Sequence, residues 1–248
     1  MDFDRYLELL ELDYARLRET AARDLAAAVP SCPGWTAADL LFHVGEVYQH
    51  KTEAMRRGAF PDPWPPEPDP AEPAAYLDLA MSELRAELTS RKPQDQTPTW
   101  YDPDQTVGFW ARRMALETVV HRVDAELAAG EPIMPIPDDL AVDGIDEVLL
   151  TCLAYGVGKW PEDFGDTLAG ADGRTVSIGA GDEHWLVRVT ASEVEVTRDG
   201  STGDASISGT PPDLLLWLWG RADDDAVTFS GTGEPLERLR ALLKGATQ

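Results

Sequence analysis

The chain of 248 residues has only two cysteines, Cys32 and Cys152. Two cysteines are too few for the disulfide framework that stabilises many small secreted domains. The sequence also lacks any apolar run of the roughly 18–20 residues that a membrane-spanning helix requires. Its opening stretch, MDFDRYLELLELDY, is acidic and amphipathic, unlike a secretory signal peptide. We therefore expect a cytoplasmic protein without a membrane partner.

Basic residues are scarce as well. The sequence has 21 lysines and arginines against 45 aspartates and glutamates, which gives a formal charge of −24. A charge of this sign repels phosphate backbones, so we expect no nucleic-acid partner. Its ordinary consequence is solubility. The chain is long enough for one or two globular domains, and 43% of its residues are hydrophobic, which is typical of a globular protein.

Hydrophobic periodicity divides the chain into a helical first part and a mixed second part. It predicts helices over residues 4–28, 36–57, 72–90, 106–129 and 137–155. The stretch FPDPWPPEPDP, residues 60–70, predicts a semi-rigid loop, because its prolines remove backbone donors and fix φ.

The sequence after Trp160 has the texture of short strands and turns. RTVSIGA, WLVRVTA, EVEVTRD, DASISG and AVTFSG alternate apolar and polar residues, whereas TPPDLLLWLWGR and EPLERLRALLKG predict helices. The fold class expected is thus a helical bundle over residues 1–157 joined to a small α+β domain over residues 165–248.

The predicted fourth helix carries an unusual pair of polar residues. In ARRMALETVVHRVDAELAAG, residues 111–130, Glu117 and His121 are four positions apart and share one helical face. Trp110 and Met114 lie on the same stripe, which predicts that this face is turned to the core and that Arg122 lies away from it. Burying a carboxylate without a partner costs several kcal/mol or more, so the face requires an explanation.

A histidine on the predicted second helix offers one explanation. His43, in ADLLFHVGEVYQH, is expected at the edge of the inward face of that helix. Facing helices of a bundle converge in its interior. His43, Glu117 and His121 would form a donor set typical of catalytic zinc, with a fourth position open. The ordinary alternatives are an intrahelical salt bridge between Arg113 and Glu117, and core histidines without a metal.

Longer stretches resemble a known family. VPSCPGWTAADLLFHVGEV (residues 29–47) and ALETVVHRVDAELAAG (residues 115–130) resemble the mycothiol-dependent maleylpyruvate isomerase family, within the wider group of DinB-like metal-dependent bundles. DASISGTPPDLLLWLWGRADD (residues 204–224) is similar to its C-terminal segment, often compared with sterol carrier folds. The resemblance implies a DinB-like four-helix bundle with an extra helix, then a sterol-carrier-like α+β domain. It places the metal ligands at His43, Glu117 and His121, and a substrate-binding arginine at Arg221.

The same resemblance implies a function. It predicts an enzyme with Zn²⁺ or another divalent metal and mycothiol as thiol co-substrate, acting as an S-transferase or a cis–trans isomerase on an electrophilic small molecule. A non-catalytic metal- or small-ligand-binding module is the alternative. Asp124 is expected either to accept the second N–H of His121 or to face solvent beside an arginine. Arg221 is expected either to pair with a carboxylate of the substrate or thiol, or to balance the acidic residues 223–225.

Overall fold

The computed structural model describes residues 1–64, 72–231 and 233–247. It contains two compact units, Met1–Met134 and Pro135–Gln248, which are described one at a time. The predicted proline-rich loop lies mostly outside the described residues. No helix in the described ranges is both long enough and apolar enough to cross a membrane.

The first unit is a bundle of four long helices. These are α1 (Phe3–Ala21), α2 (Ala37–Arg57), α3 (Pro73–Thr89) and α4 (Val107–Ala129). Helix α4 packs on α1 and on α2, and α2 also packs on α3. The interior is filled by fully buried apolar side chains: Leu17, Leu40, Val44, Leu77, Leu84, Trp110 and Val119.

Side-chain caps start the two helices that carry the predicted donors. Thr36 and Asp39 form a reciprocal capping box at the start of α2. Thr106 caps α4 by accepting a hydrogen bond from the backbone N–H of Phe109, and Gly130 ends α4 at a φ of 64°. These signals explain why both helix starts could be placed from the sequence.

Helix α1 ends seven residues earlier than predicted, at Ala21 and not at residue 28. The Asp24 carboxylate accepts a hydrogen bond from the backbone N–H of Ala26, which turns the chain. Ala28 then bridges Thr36, and the N–H of Val29 donates to the carbonyl of Trp35 at 2.9 Å. The three alanines at positions 26–28 favour a helix, but their backbone groups form hydrogen bonds within this hairpin-like loop instead.

Helix α4 is buried on more than one face, so the prediction that Arg122 lies away from the core is wrong. Arg122 is fully buried. Its Nε lies 3.1 Å from Asp13 Oδ1 on α1, and its Nη1 lies 2.7 Å from Glu126 Oε2. Because α1 covers the face opposite the Glu117 stripe, the arginine enters the interior together with its counter-ions.

The second unit begins with helical segments and continues as a five-stranded sheet. Its helices are α5 (Asp138–Asp146), a π-helical continuation (Glu147–Tyr155), α6 (Gly156–Lys159), α7 (Pro211–Leu218) and α8 (Gly233–Ala246), with 3₁₀ turns at Pro161–Phe164 and Asp224–Ala226. The strands are β1 (Asp172–Ala180), β2 (Glu183–Thr190), β3 (Val194–Thr197), β4 (Ala205–Gly209) and β5 (Thr228–Gly231).

The sheet has the order β3-β2-β1-β4-β5. Strands β1 and β4 are parallel, with Ile178 opposite Ile207, and the other neighbours are antiparallel. Helix α8 packs on β1 and β4. The predicted fold class, a helical bundle followed by an α+β domain, is therefore confirmed.

The fifth predicted helix groups with the second unit, whereas the predicted limits of 1–157 and 165–248 place it in the bundle. Leu140, Ala141 and Ile145 bury one face of α5, and the helix packs on α7. At its end, Asp146 Oδ1 accepts a hydrogen bond of 2.7 Å from Trp185 Nε1 on β2. Periodicity predicts that a helix has a buried face but not which element covers it.

Candidate metal centre

The three predicted donors meet between α2 and α4. One ligand atom from each of His43, Glu117 and His121 lies within 4.8 Å of the other two. The Oε1 atom of Glu117 is 3.4 Å from His43 Nε2 and 3.2 Å from His121 Nε2. Helix α4 places Glu117 and His121 on successive turns of one face, and α2 brings His43 to them.

The spacing of the donors fits a metal ion. Tetrahedral zinc with bonds of about 2.0–2.1 Å holds neighbouring N and O donors about 3.3 Å apart. Both distances from Glu117 Oε1 lie close to this value, and the three ligand atoms all lie within 4.8 Å of one another. Two imidazoles and one carboxylate also form a donor set that zinc accepts while keeping a fourth position open. The residues present therefore fit a divalent ion.

Asp124 orients the His121 ring. Its Oδ2 atom lies 2.8 Å from His121 Nδ1, and the carboxylate is fully buried. The Nδ1–H group donates to this carboxylate, so Nε2 is the ring nitrogen that is available to a metal ion when the ring is neutral. Of the two expectations for Asp124, the structure shows the contact with His121.

Two residues of the 29–35 loop support Asp124 in turn. The hydroxyl of Ser31 donates to Asp124 Oδ1, and the thiol of Cys32 lies 3.7 Å from Oδ2. Neither contact was predicted, since both depend on how the loop packs against α4. Their signal in the sequence was only their place in the SCPGW turn before α2.

The two carboxylate oxygens of Glu117 have different partners. Arg113 Nη2 donates to Oε2, and Oε1 faces the imidazoles. The intrahelical salt bridge considered as an alternative is thus present together with the convergence of the donors. Arg113 fixes the rotation of the carboxylate and leaves one oxygen directed at the centre.

The charges of the centre stabilise one another. Burial alone would raise the pKa of Glu117, but Arg113 and His121 outweigh burial and hold it well below its usual range. Burial alone would lower the pKa of His121, but Glu117 and Asp124 outweigh burial and raise it to about 9. The site therefore keeps an ionised carboxylate in the bundle interior.

The centre is open on one side. The side chain of His43 is 35% exposed, whereas those of Glu117 and His121 are each 10% exposed. The Trp35 ring lies beside both imidazoles, with ring centroids 4.8 Å from His43 and 6.4 Å from His121. Trp35 was not predicted as a site residue, although it stands in the PGWT block. The centre is therefore accessible to solvent at His43.

The other two histidines of the chain do not join the donors. His50 stacks on Phe60 and does not join the donor group. His184 lies on β2 opposite Gly179. Arg221 follows α7 in the second unit, where its Nη1 donates to the Trp219 carbonyl at 2.7 Å and its guanidinium lies 5.9 Å from the Trp219 ring centroid. Its predicted role in binding substrate is a proposal.

Fold and site together define a protein of two compact units, the first of which brings together three side chains that could hold a metal ion. The sequence matches the mycothiol maleylpyruvate isomerase N-terminal domain over residues 10–126 and the C-terminal domain of the same family over residues 139–239. The chain belongs to the mycothiol maleylpyruvate isomerase family, as its motifs predicted.

Solved structures agree on the fold. The crystal structure of the mycothiol-dependent maleylpyruvate isomerase is 15% identical, covers 93% of each chain and has a TM-score of 0.65. A histidine-to-alanine mutant of that isomerase is 14% identical, with a TM-score of 0.64 and the same coverage. A UbiJ-SCP2 ubiquinone synthesis protein aligns with 44% of this chain and 96% of its own at 14% identity, with a TM-score of 0.30, which is too low to indicate a shared fold. No curated protein matches the chain.

Proposed function

We propose that this protein is a metal-dependent enzyme that uses mycothiol as a thiol co-substrate. The observation that carries the proposal is the three-donor centre with one open side, at His43. Family membership supports the choice of mycothiol. The other participant would be an electrophilic small molecule.

Zinc suits the donors His43 Nε2, Glu117 Oε1 and His121 Nε2, and when bound it supplies a Lewis-acid position that lowers the pKa of a thiol toward its nucleophilic thiolate form. The chain's own residues hold this site in place. Asp124 keeps His121 in the tautomer whose Nε2 is free, and Arg113 keeps one oxygen of Glu117 turned inward. Trp35 covers one side of the imidazoles with an apolar surface.

Two reactions are consistent with this site. In an isomerase, the thiol sulfur adds to a cis double bond, the new single bond rotates, and elimination regenerates the thiol with the trans product. In an S-transferase, the sulfur displaces a leaving group and the thiol is consumed in the thioether product. The family match favours the first. Counting thiol consumed per product formed separates the two, since only the transferase consumes it.

We propose that Arg221 binds an anionic group of the substrate or thiol co-substrate through its guanidinium. The hydrogen bond from its Nη1 to the Trp219 carbonyl holds the guanidinium beside the Trp219 indole. Arg221→Ala should slow turnover at least tenfold and leave the metal content unchanged. Arg188→Ala, which removes an exposed arginine paired with Glu195, is the matched control. Equal turnover in both variants would refute the role.

The metal site is tested by elemental analysis of purified variants. His43→Ala, Glu117→Gln and His121→Ala should each lose bound metal, because each removes one of three protein donors. His50→Ala and His184→Ala should retain it, since those histidines lie outside the donor group. Full metal retention in the first three variants would refute the proposed metal site. Metal binding without any thiol binding would favour a non-catalytic binding module.

A further inference from the structure

A partly exposed strip runs along α2 beside the metal centre. His43, Val47 and Lys51 follow one another at intervals of four residues, so they share a helical face. Each of the three is only partly buried, whereas their neighbours Val44 and Tyr48 are fully buried. An open strip in the middle of a packed bundle indicates accessible space that continues from the centre toward Lys51.

Lys51 lies against α4. Its Nζ atom is 5.2 Å from the centroid of the Trp110 ring and 3.1 Å from His50 Nδ1. Burial lowers the pKa of its ammonium group to about 8, while Glu117 acts to raise that pKa and Arg113 to lower it. Because the charges of Glu117 and Arg113 both act on the Lys51 pKa, the ammonium group lies within electrostatic range of the donors.

Lys51 has no acidic partner among the residues that the structure describes. None of the ion pairs within that part of the chain involves Lys51, whose Nζ atom instead contacts the His50 nitrogen and the Trp110 ring. Arg113, the other cation nearby, is already paired with Glu117. A partly buried ammonium group without a counter-ion is costly unless an anion joins it.

The separation between Lys51 and the centre suits a small organic molecule. Trp110, under the ammonium group, precedes Glu117 by seven residues, which is about 10 Å along the helix axis. One end of a molecule with five to seven bonded atoms could contact Lys51 while its other end reaches the donors. Aromatic surface is also near: the His50 ring lies 5.6 Å from Phe60 and 5.2 Å from Trp64.

We propose that Lys51 is the anion-binding residue of a substrate subsite beside the metal centre, and that this subsite takes the carboxylate of a small, partly apolar organic acid. A carboxylate is favoured over a phosphate because one ammonium group supplies a single positive charge and Arg113 is engaged. The partly exposed Val47, which lies between His43 and Lys51 on the strip, would contact the apolar part of the acid. The proposal rests on the proposed function only for what happens at the other end of the molecule.

Amine reactivity tests the subsite without any variant. The protein is labelled by limited reductive methylation at pH 7.5, with and without millimolar benzoate, and each lysine is quantified by mass spectrometry. Benzoate should slow labelling of Lys51 at least threefold, and the exposed Lys92 and Lys244 should react equally in both samples. Benzamide, which lacks the charge, should give no protection. Unchanged labelling of Lys51 in benzoate would overturn the proposal.

Variants test the same claim by affinity. Calorimetry should show benzoate binding at least tenfold weaker in Lys51→Met than in the parent, with most of the affinity restored in Lys51→Arg. Lys92→Met is the control for loss of a surface lysine. Metal content should be the same in all four proteins, because Lys51 is not a donor. Equal benzoate affinity in Lys51→Met and the parent would refute the subsite.

The outcome is separable from that of the proposed function. Loss of benzoate protection with intact mycothiol binding would overturn the subsite alone. If benzoate protects Lys51 in a protein that fails to bind mycothiol, the anion subsite is upheld and the thiol chemistry is rejected.

Discussion

Asp124 links the His121 ring to the loop before α2. Its carboxylate accepts from His121 Nδ1 and from the Ser31 hydroxyl, inside a fully buried position. Residues that orient a metal-binding histidine in this way usually contribute 10–100-fold to metal affinity. The orientation of the His121 ring therefore depends on a residue that would not itself touch the ion.

Asp124→Asn should weaken zinc affinity about 10–100-fold, because the amide keeps the shape but loses the charge that favours the correct tautomer. Competition with a chromophoric chelator measures the change. Asp4→Asn, at an exposed position on α1, is the control. Equal zinc affinity in Asp124→Asn and the parent would mean that Asp124 has no orienting role.

The convergence of His43, Glu117 and His121 could be predicted from the sequence, but the residues around them could not. Glu117 and His121 share a face because of the helical repeat, and His43 was placed by the inward pattern of its own helix. Trp35, Ser31 and Cys32 reach the centre through the 29–35 loop, whose path depends on the bridge between Ala28 and Thr36. No periodic pattern specifies such a path.

The elements that carry the centre depend on local signals at their ends. The Thr36 side chain accepts from the Asp39 N–H, and the Asp39 carboxylate accepts from the Thr36 N–H. The bridge from Ala28 also ends at Thr36. One residue thus begins α2 and anchors the loop that supplies Trp35.

Thr36→Ala should lower the free energy of unfolding by about 1 kcal/mol, the usual cost of losing an N-cap side chain. Urea unfolding followed by circular dichroism measures it. Thr89→Ala is the control, because the exposed Thr89 hydroxyl only donates a hydrogen bond to the Arg85 carbonyl of its own helix. A loss in Thr36→Ala no larger than in Thr89→Ala would contradict the importance of the cap.

Element types were predictable more fully than element partners. The five strands fall where alternating patterns placed them, and the predicted helix TPPDLLLWLWGR is present as α7. The grouping of α5 and the burial of Arg122 were not foreseen, because each depends on a surface supplied by a distant part of the chain: α7 for the helix and Asp13 for the arginine.

The whole molecule is strongly acidic, and one buried carboxyl makes its stability depend on pH. Burial raises the pKa of Asp13 from 3.8 to about 6, against the lowering effect of Arg122. The folded protein thus binds this proton more tightly than the unfolded chain. The stabilisation from Asp13 is complete below pH 4 and is lost as the pH rises through 6.

Lowering the pH from 7 to 5 should therefore increase the free energy of unfolding, with Asp13 contributing on the order of 1–2 kcal/mol. The reduced self-repulsion of a chain with a formal charge of −24 acts in the same direction. Asp13→Asn separates the two effects, since it keeps an oxygen for Arg122 but cannot titrate. Urea unfolding at both pH values should show a smaller increase in the variant. An equal increase in both proteins would exclude Asp13 as its source.

The most direct test of the central claim is the absorption spectrum of the cobalt-substituted protein during addition of mycothiol. If the thiol binds at the centre formed by His43, Glu117 and His121, a sulfur-to-cobalt charge-transfer band should appear and saturate at one thiol per chain. The band should be absent in His121→Ala. A spectrum unchanged by millimolar mycothiol, in protein shown to hold cobalt, would contradict the proposed function.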